Sequence, residues 1–286
     1  MRGPLCERLE NGRRLHLQHG PIDLLIEAEG ADREAAFEAA CARFRTVLEE
    51  LVGELPLLRQ PLAPGATGPR GAVARRMWQA ALPFARDFYV TPMIAVAGAV
   101  ADEILTCMCS GFRLERAFVN NGGDIAIHLG PGRRFTSAVV TDPQRLVVGA
   151  ILEVRDHDPV RGLATSGWRG RSLSLGIADA VTALAASAAA ADAAATLIAN
   201  AVDLPGHPAI RRRPAAEVVE GSDLGDLPVV TEVGPLTEAE ILDALDRGAA
   251  RARAFLLAGR IEGAVLALGG RMRWVGEVRD VVGDDA

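Results

Sequence analysis

Gly162 to Val202 reads GLATSGWRGRSLSLGIADAVTALAASAAAADAAATLIANAV, and the fold turns on how this stretch is divided. Alanine propensity alone would make one helix from Gly176 to Val202. A second division sets Val181-Thr182-Ala183-Leu184 as a strand, with Ser187 capping a helix that starts near Ala188. We take the second division, which frees Asp179 to approach Asp192 from another element. Gly162-Leu163-Ala164-Thr165-Ser166-Gly167, all but one small, reads as a tight turn at the head of the stretch. In the alanine helix the strongly polar residues are Asp192, Thr196 and Asn200. Spaced by four, they stack on one helical face. Such a stripe must be exposed, satisfied internally or used for a ligand. We expect the last, with a divalent cation and a nucleotide phosphate as ligands. An aspartate favoured by the helix dipole and a threonine bonded to its own backbone would account for the same pair.

Outward from this stretch, strands and helices alternate without a regular βαβ beat, so an α+β fold of mixed sheets with packed helices is expected. We expect one large domain over residues 1–286, with a motif core at about 92–202 and a C-terminal helix and hairpin at 237–278. Arg13 to Gln18 and Ile22 to Ala28 read as a hairpin around His-Gly-Pro. Ala31 to Leu55 reads as a long amphipathic helix, and Gln60 to Gly71 as a loop. Helices follow at Ala72–Arg86 and at Pro92–Cys109, the latter nearly uncharged before Asp102 and hence buried. Arg116–Asn120 and Ile125–Leu129 are strands around a turn, Asn120-Asn121-Gly122-Gly123-Asp124. Thr136–Thr141 and Leu146–Arg155 add strands, and Asp203–Pro228 is a connection. Thr237 with Glu240 makes a capping box for a helix to Leu257. Ile261–Leu268 and Met272–Val278 close the chain as a hairpin around Gly269-Gly270.

Composition narrows the chemistry. The 286 residues are 49% hydrophobic and 24% charged, and aromatics at 4% leave an aliphatic core. All 31 basic residues are arginine, so no Schiff-base or P-loop lysine is available. A net charge of −6 argues against a nucleic-acid binder, and Arg211-Arg212-Arg213 reads as a solvated loop. The first residues lack the apolar run of a signal peptide, and charges interrupt every candidate span of about 20 apolar residues. Four cysteines without C-x-x-C spacing fit a reduced, cytoplasmic protein that does not engage a membrane. Cys107 and Cys109, two apart on a helix, face different ways and belong to the core. His128 lies on a half-exposed strand, and His157 in a loop between Asp156 and Asp158. Arg161, Arg169 and Arg171 flank the small-residue run, where they could meet a phosphate or form a solvated rim.

Several motifs, in order along the chain, resemble those of ApbE-type FAD:protein FMN transferases. Ala164-Thr165-Ser166-Gly167 is similar to their A-T-S-G turn, Asp192-Ala193-Ala194-Ala195-Thr196 to their A-D-A-x-x-T helix start, and Asn121-Gly122-Gly123-Asp124-Ile125 to their N-x-G-G-D-I turn. Ala97-Gly98-Ala99-Val100-Ala101-Asp102 stands where they carry K-G-Y-A-V-D. An uncharacterised branch of the superfamily resembles the chain most, through Pro92 to Gly98 and the Ser174 to Val181 run. The resemblance implies magnesium or calcium held by the Ala164 carbonyl, Asp192 and Thr196. It implies FAD or a related flavin nucleotide near Asn121, Gly122, Gly123, Asp124, Thr165, Ser166 and Gly167, and an acceptor protein for FMN. The physics is coherent: Mg²⁺ takes oxygen ligands and few carboxylates, completing its shell with water and phosphate. The chain departs from the pattern in two places. Ala97 replaces the lysine, and Ser174 to Asp179 replaces the H-I-I-D-P segment, without histidine or proline. The reading is therefore either transfer chemistry or binding of the nucleotide without transfer, with a scaffold role as a third possibility.

Overall fold

A computed structural model describes residues 3–63, 65–142 and 147–277. In chain order the elements are β1 (Leu5–Leu9), β2 (Arg14–His19), β3 (Ile22–Glu29), α1 (Arg33–Leu58), α2 (Ala72–Ala81), α3 (Val96–Cys109), β4 (Arg116–Asn121) and β5 (Asp124–Leu129). They continue with β6 (Arg134–Asp142), β7 (Val147–Arg155), β8 (Gly162–Ser166), β9 (Ala180–Ala185), α4 (Ala188–Ala201), β10 (Ile210–Pro214) and α5 (Ala215–Val218). The last are β11 (Pro228–Val233), α6 (Glu238–Leu257), β12 (Gly263–Leu268) and β13 (Arg271–Gly276). The fold is α+β, as the sequence predicts. The expected strand ends at Leu146 and Val278 lie outside the described residues.

The chain gathers into two compact units, one of Met1–Phe135, Arg155–Ala164 and Ala186–Ala193, the other of Thr136–Val154, Thr165–Ala185 and Ala194–Ala286. Their segments interleave, so no single cut in the chain separates them. The first unit is an antiparallel meander, β1-β2-β3-β4-β5, with Leu163 of β8 set opposite Ile125. Strict alternation makes β2 and β3 one-sided: Leu15 and Leu17 of β2 and Leu24 and Ile26 of β3 are fully buried while their neighbours are not. Helix α3 packs on β4 and β5, flanked by α1 and α2. That packing answers why Pro92–Cys109, at 18 residues apolar enough to cross a membrane, is half buried within the protein.

In the second unit β9, β12 and β13 pair antiparallel, and α6 covers β12 and β13. The capping box on α6 is present, with Thr237 accepting from the Glu240 N–H and the Glu240 carboxylate accepting from the Thr237 N–H. Two further pairs, β6 with β7 and β10 with β11, complete it. Arg211-Arg212-Arg213 is therefore not a loop. It forms most of β10, held by pairing to β11 and by ion pairs from Arg211 to Glu232, Arg212 to Asp203 and Arg213 to Glu217.

Candidate ion and phosphate site

The division of the central stretch decides how its polar residues are presented. Val181 to Leu184 lie in β9, and α4 starts at Ala188 with the Ser187 hydroxyl accepting the Ala190 N–H at 3.2 Å. The α4 start has a second, distant cap. Asp102 of α3 accepts the N–H of Ala188 at 3.0 Å and of Ala189 at 2.9 Å. The exchange is reciprocal, since Asp192 on α4 accepts the Gly98 N–H at 3.1 Å and bonds the Ala97 backbone, both at the start of α3. Each helix thus supplies the carboxylate that caps the other's orphan donors and meets the positive end of its dipole. Close approach is built in at Gly98, where a Cβ would lie 2.3 Å from the Ala188 carbonyl oxygen.

Asp192 sits close to two other carboxylates, Asp124 and Asp102. Burial, then the neighbouring Asp124 carboxylate, push its pKa well above the ordinary carboxylate value, against the pull of the two backbone donors. Asp124 follows the β4–β5 turn, whose Gly122 and Gly123 have φ of 67° and 112°. Nothing would meet a Cβ on Gly123, so its backbone conformation, not crowding, selects glycine there. Asn120 Oδ1 accepts the Gly123 N–H at 2.8 Å, and Asn121 Nδ2 donates to the Ala97 carbonyl at 3.0 Å. Asn121, expected at the cofactor, thus has its amide committed to tying the hairpin to α3.

Along α4 the alanines from Ala193 to Ala195 are fully buried, while Asp192, Thr196 and Asn200 keep partial solvent access. Asn200 is used structurally, its Oδ1 accepting the Leu175 N–H at 2.9 Å and facing the Ser174 hydroxyl at 3.3 Å. The Thr196 hydroxyl has no hydrogen-bond partner among the described residues, so it does not bond its own helix as an ordinary helical threonine would.

The small-residue run before Trp168 is a correction to the sequence reading. Gly162 to Ser166 is strand β8, not a tight turn. Its glycines serve close approach rather than positive φ. A Cβ on Gly162 would fall 2.1 Å from the Ala188 nitrogen, and one on Gly167 2.4 Å from the Asp179 carbonyl oxygen. Thr165 and Thr182 share a hydroxyl–hydroxyl bond of 2.8 Å, and Ser166 is partly exposed. Arg169 bonds Asp179 at 3.1 Å and stacks over the Trp168 ring at 4.4 Å, while Asp179 Oδ2 accepts the Gly269 N–H at 2.8 Å. Asp179 is thereby tied within the second unit. Arg161 donates to the carbonyls of Asp156, Asp158 and Val160, a structural commitment, whereas Arg171 is exposed.

The remaining candidates are placed outside this chemistry. His128 Nε2 lies 3.2 Å from the Leu114 carbonyl, and His157 is exposed beside Asp156 and Asp158. Burial pushes the Cys109 thiol up to about 11, consistent with a packing role, and Cys107 is part-buried with its thiol facing the Ala39 carbonyl. No group of three or more His, Cys, Asp or Glu side chains suited to a metal occurs among the described residues. The caps supplied by Asp102 and the donors on Ala97 and Gly98 were beyond sequence reasoning, because partners 86 to 94 residues apart leave no local pattern.

The fold is that of the ApbE flavin transferases: the Vibrio cholerae flavin transferase ApbE superposes with a TM-score of 0.53 over 96% of this chain and 97% of its own, at 14% identity. The chain belongs to the family described as "AbpE bacteria", whose profile matches residues 6–274. It is also similar to UPF0280 proteins of two archaea. The Methanothrix thermoacetophila protein is 34% identical over 180 residues, 62% of this chain and 73% of the relative. The Methanosphaerula palustris protein is 34% identical over 194 residues, 66% and 77% of the two chains.

Proposed function

We propose that this protein binds a flavin-type nucleotide through its pyrophosphate, with magnesium or calcium as the bridging ion. Asp192, Thr196 and the Ala164 carbonyl would hold the ion. The observation that carries the reading is the state of Asp192, a carboxylate pressed by burial and by Asp124, one helical turn from a hydroxyl that has no partner among the described residues. A divalent cation would relieve the repulsion and use the spare oxygens, and its chemistry when bound is to neutralise and polarise a pyrophosphate. Gly122, Gly123 and Asp124, with Thr165, Ser166 and Gly167, are the proposed nucleotide contacts. Four free cysteines support a reducing, cytoplasmic setting.

Transfer of FMN to an acceptor protein is the further step the fold suggests, while one observation favours binding alone. Ala97 stands at the lysine position, and Asp179, in the segment that replaces H-I-I-D-P, is engaged by Arg169 and Gly269. The test is to incubate the protein with FAD, with and without Mg²⁺, and measure bound flavin, AMP release and flavin retained after denaturation. Mg²⁺-dependent reversible flavin binding supports the binding reading, and AMP with covalent flavin supports transfer. Asp192→Asn is expected to weaken Mg²⁺-dependent binding at least tenfold with a much smaller change in melting temperature. Flavin affinity indifferent to Mg²⁺ and to this substitution would overturn the proposal.

A further inference from the structure

The edge strand of the first unit carries chemistry unrelated to the ion site. Strand β1 is almost wholly exposed, yet its register fixes which side chains turn inward. Cys6 pairs with Leu17 and Arg8 with Leu15, and residues directly opposite in an antiparallel pair share a face. Leu15 and Leu17 are buried, so Cys6 and Arg8 lie on the core-facing side. Arg8 confirms the direction: it ion-pairs with Glu34 of α1 at 3.0 Å and lies over the Phe37 ring at 4.6 Å. On α1, Glu34, Phe37 and Cys41 follow at i, i+3 and i+7, a single face. Cys6, two residues before Arg8, lies beside Cys41, one turn beyond Phe37, near enough for its thiol to raise the Cys41 pKa.

We propose that Cys6 and Cys41 are a thiol–disulfide modification site, oxidised by low-molecular-weight disulfides to a bond that staples β1 to α1. The two thiols have unequal roles. Cys6 is exposed and open to attack from solvent, whereas Cys41 is half-buried and its thiol is pushed up to about 12, chiefly by burial. Cys6, as thiolate, attacks one sulfur of the small disulfide, forming a mixed disulfide and releasing one small thiolate. Cys41 then attacks the Cys6 sulfur, its proton passing to the departing thiolate. The product is one protein disulfide and two small thiols, with the electrons of the protein dithiol transferred to the reagent. The bridge closes a loop between positions 6 and 41, long enough to raise the melting temperature by about 5–10 °C if the native geometry is kept.

The experiment treats full-length protein with oxidised glutathione, followed by intact-mass and non-reducing peptide mapping. Wild type is expected to lose about 2 Da, without retained glutathione, and to yield the Cys6–Cys41 cross-linked peptide. Cys41→Ser and Cys41→Ala are expected to stop at Cys6 carrying one glutathionyl group. Cys6→Ser is expected to lose the cross-link, and Cys107→Ser with Cys109→Ser to keep it. Wild type that accumulates the mixed disulfide as the Cys41 variants do, forms a different pairing, or remains unmodified would overturn the proposal.

Discussion

Replacing Asp102 by alanine removes the carboxylate that accepts two N–H groups at the buried start of α4. Each donor left without a partner costs about 1–3 kcal/mol, and the loss of a charge at a helix N-terminus adds a fraction more. An opposing contribution is visible in the structure: burial raises the Asp102 pKa despite the donors, so the ionised side chain is itself uncomfortable there. The net loss expected is about 2–3 kcal/mol, or about 4–10 °C in melting temperature for a chain of this size. Asp102→Asn keeps one acceptor and should lose about half as much. Both substitutions also remove a titrating group, so the loss depends on pH. Because the folded pKa is raised, the contribution of Asp102 is fully present below its unfolded value of about 4 and declines as pH rises through the folded value. The stability difference between wild type and Asp102→Asn should therefore shrink from pH 4 upward and then level. Urea unfolding followed by circular dichroism between pH 4 and pH 8 measures it. A loss below about 1 kcal/mol for Asp102→Ala would refute the capping argument, and a difference that grows with pH would show that the two donors outweigh burial at this carboxylate.

Two further substitutions bear on the same region. Gly98→Ala puts a methyl 2.3 Å from the Ala188 carbonyl, a backbone atom that cannot turn aside, and is expected to destabilise by about 3 kcal/mol or more in the same unfolding assay. A neutral effect would mean that α3 and α4 do not meet as described. Thr196→Val exchanges a hydroxyl without a partner among the described residues for a methyl of similar size, so stability should change by less than about 0.5 kcal/mol. Mg²⁺-dependent flavin affinity, measured by fluorescence titration, should fall about tenfold, corresponding to about 1.4 kcal/mol. Equal retention of affinity would remove the hydroxyl from the proposed ion seat.

What could be read from sequence was what local chemistry determines. The Thr237–Glu240 box fixed the start of α6, and Ser187 fixed that of α4, because capping acts over three residues. The glycine pair at 122–123 announced its hairpin through a backbone conformation only glycine adopts readily. The same residue type misled at Gly162 and Gly167, since glycine is demanded both by positive φ and by close backbone contact, and the sequence does not say which. Strand β1 escaped notice because it pairs along one edge only and shows no alternation of exposure. β10 escaped because its arginines find partners from other elements.

The reciprocal caps explain why motifs far apart in the chain read as one set. The glycine of Ala97–Asp102 admits the start of α4, its aspartate caps that start, and its backbone donors return to Asp192. Each contribution requires the others: without Gly98 the helices cannot approach, and without approach neither carboxylate reaches its donors. Asp192 is thus oriented from both directions, by its own helix and by the N–H groups of α3. One of its oxygens already accepts from Gly98, which fixes the side chain without exhausting its capacity as an acceptor. A carboxylate held this way loses little conformational freedom on meeting a cation, whereas a freely rotating surface aspartate would have to be ordered first. The structural pairing and the proposed ion seat are therefore not rival readings of Asp192, since the first supplies the rigidity on which the second depends.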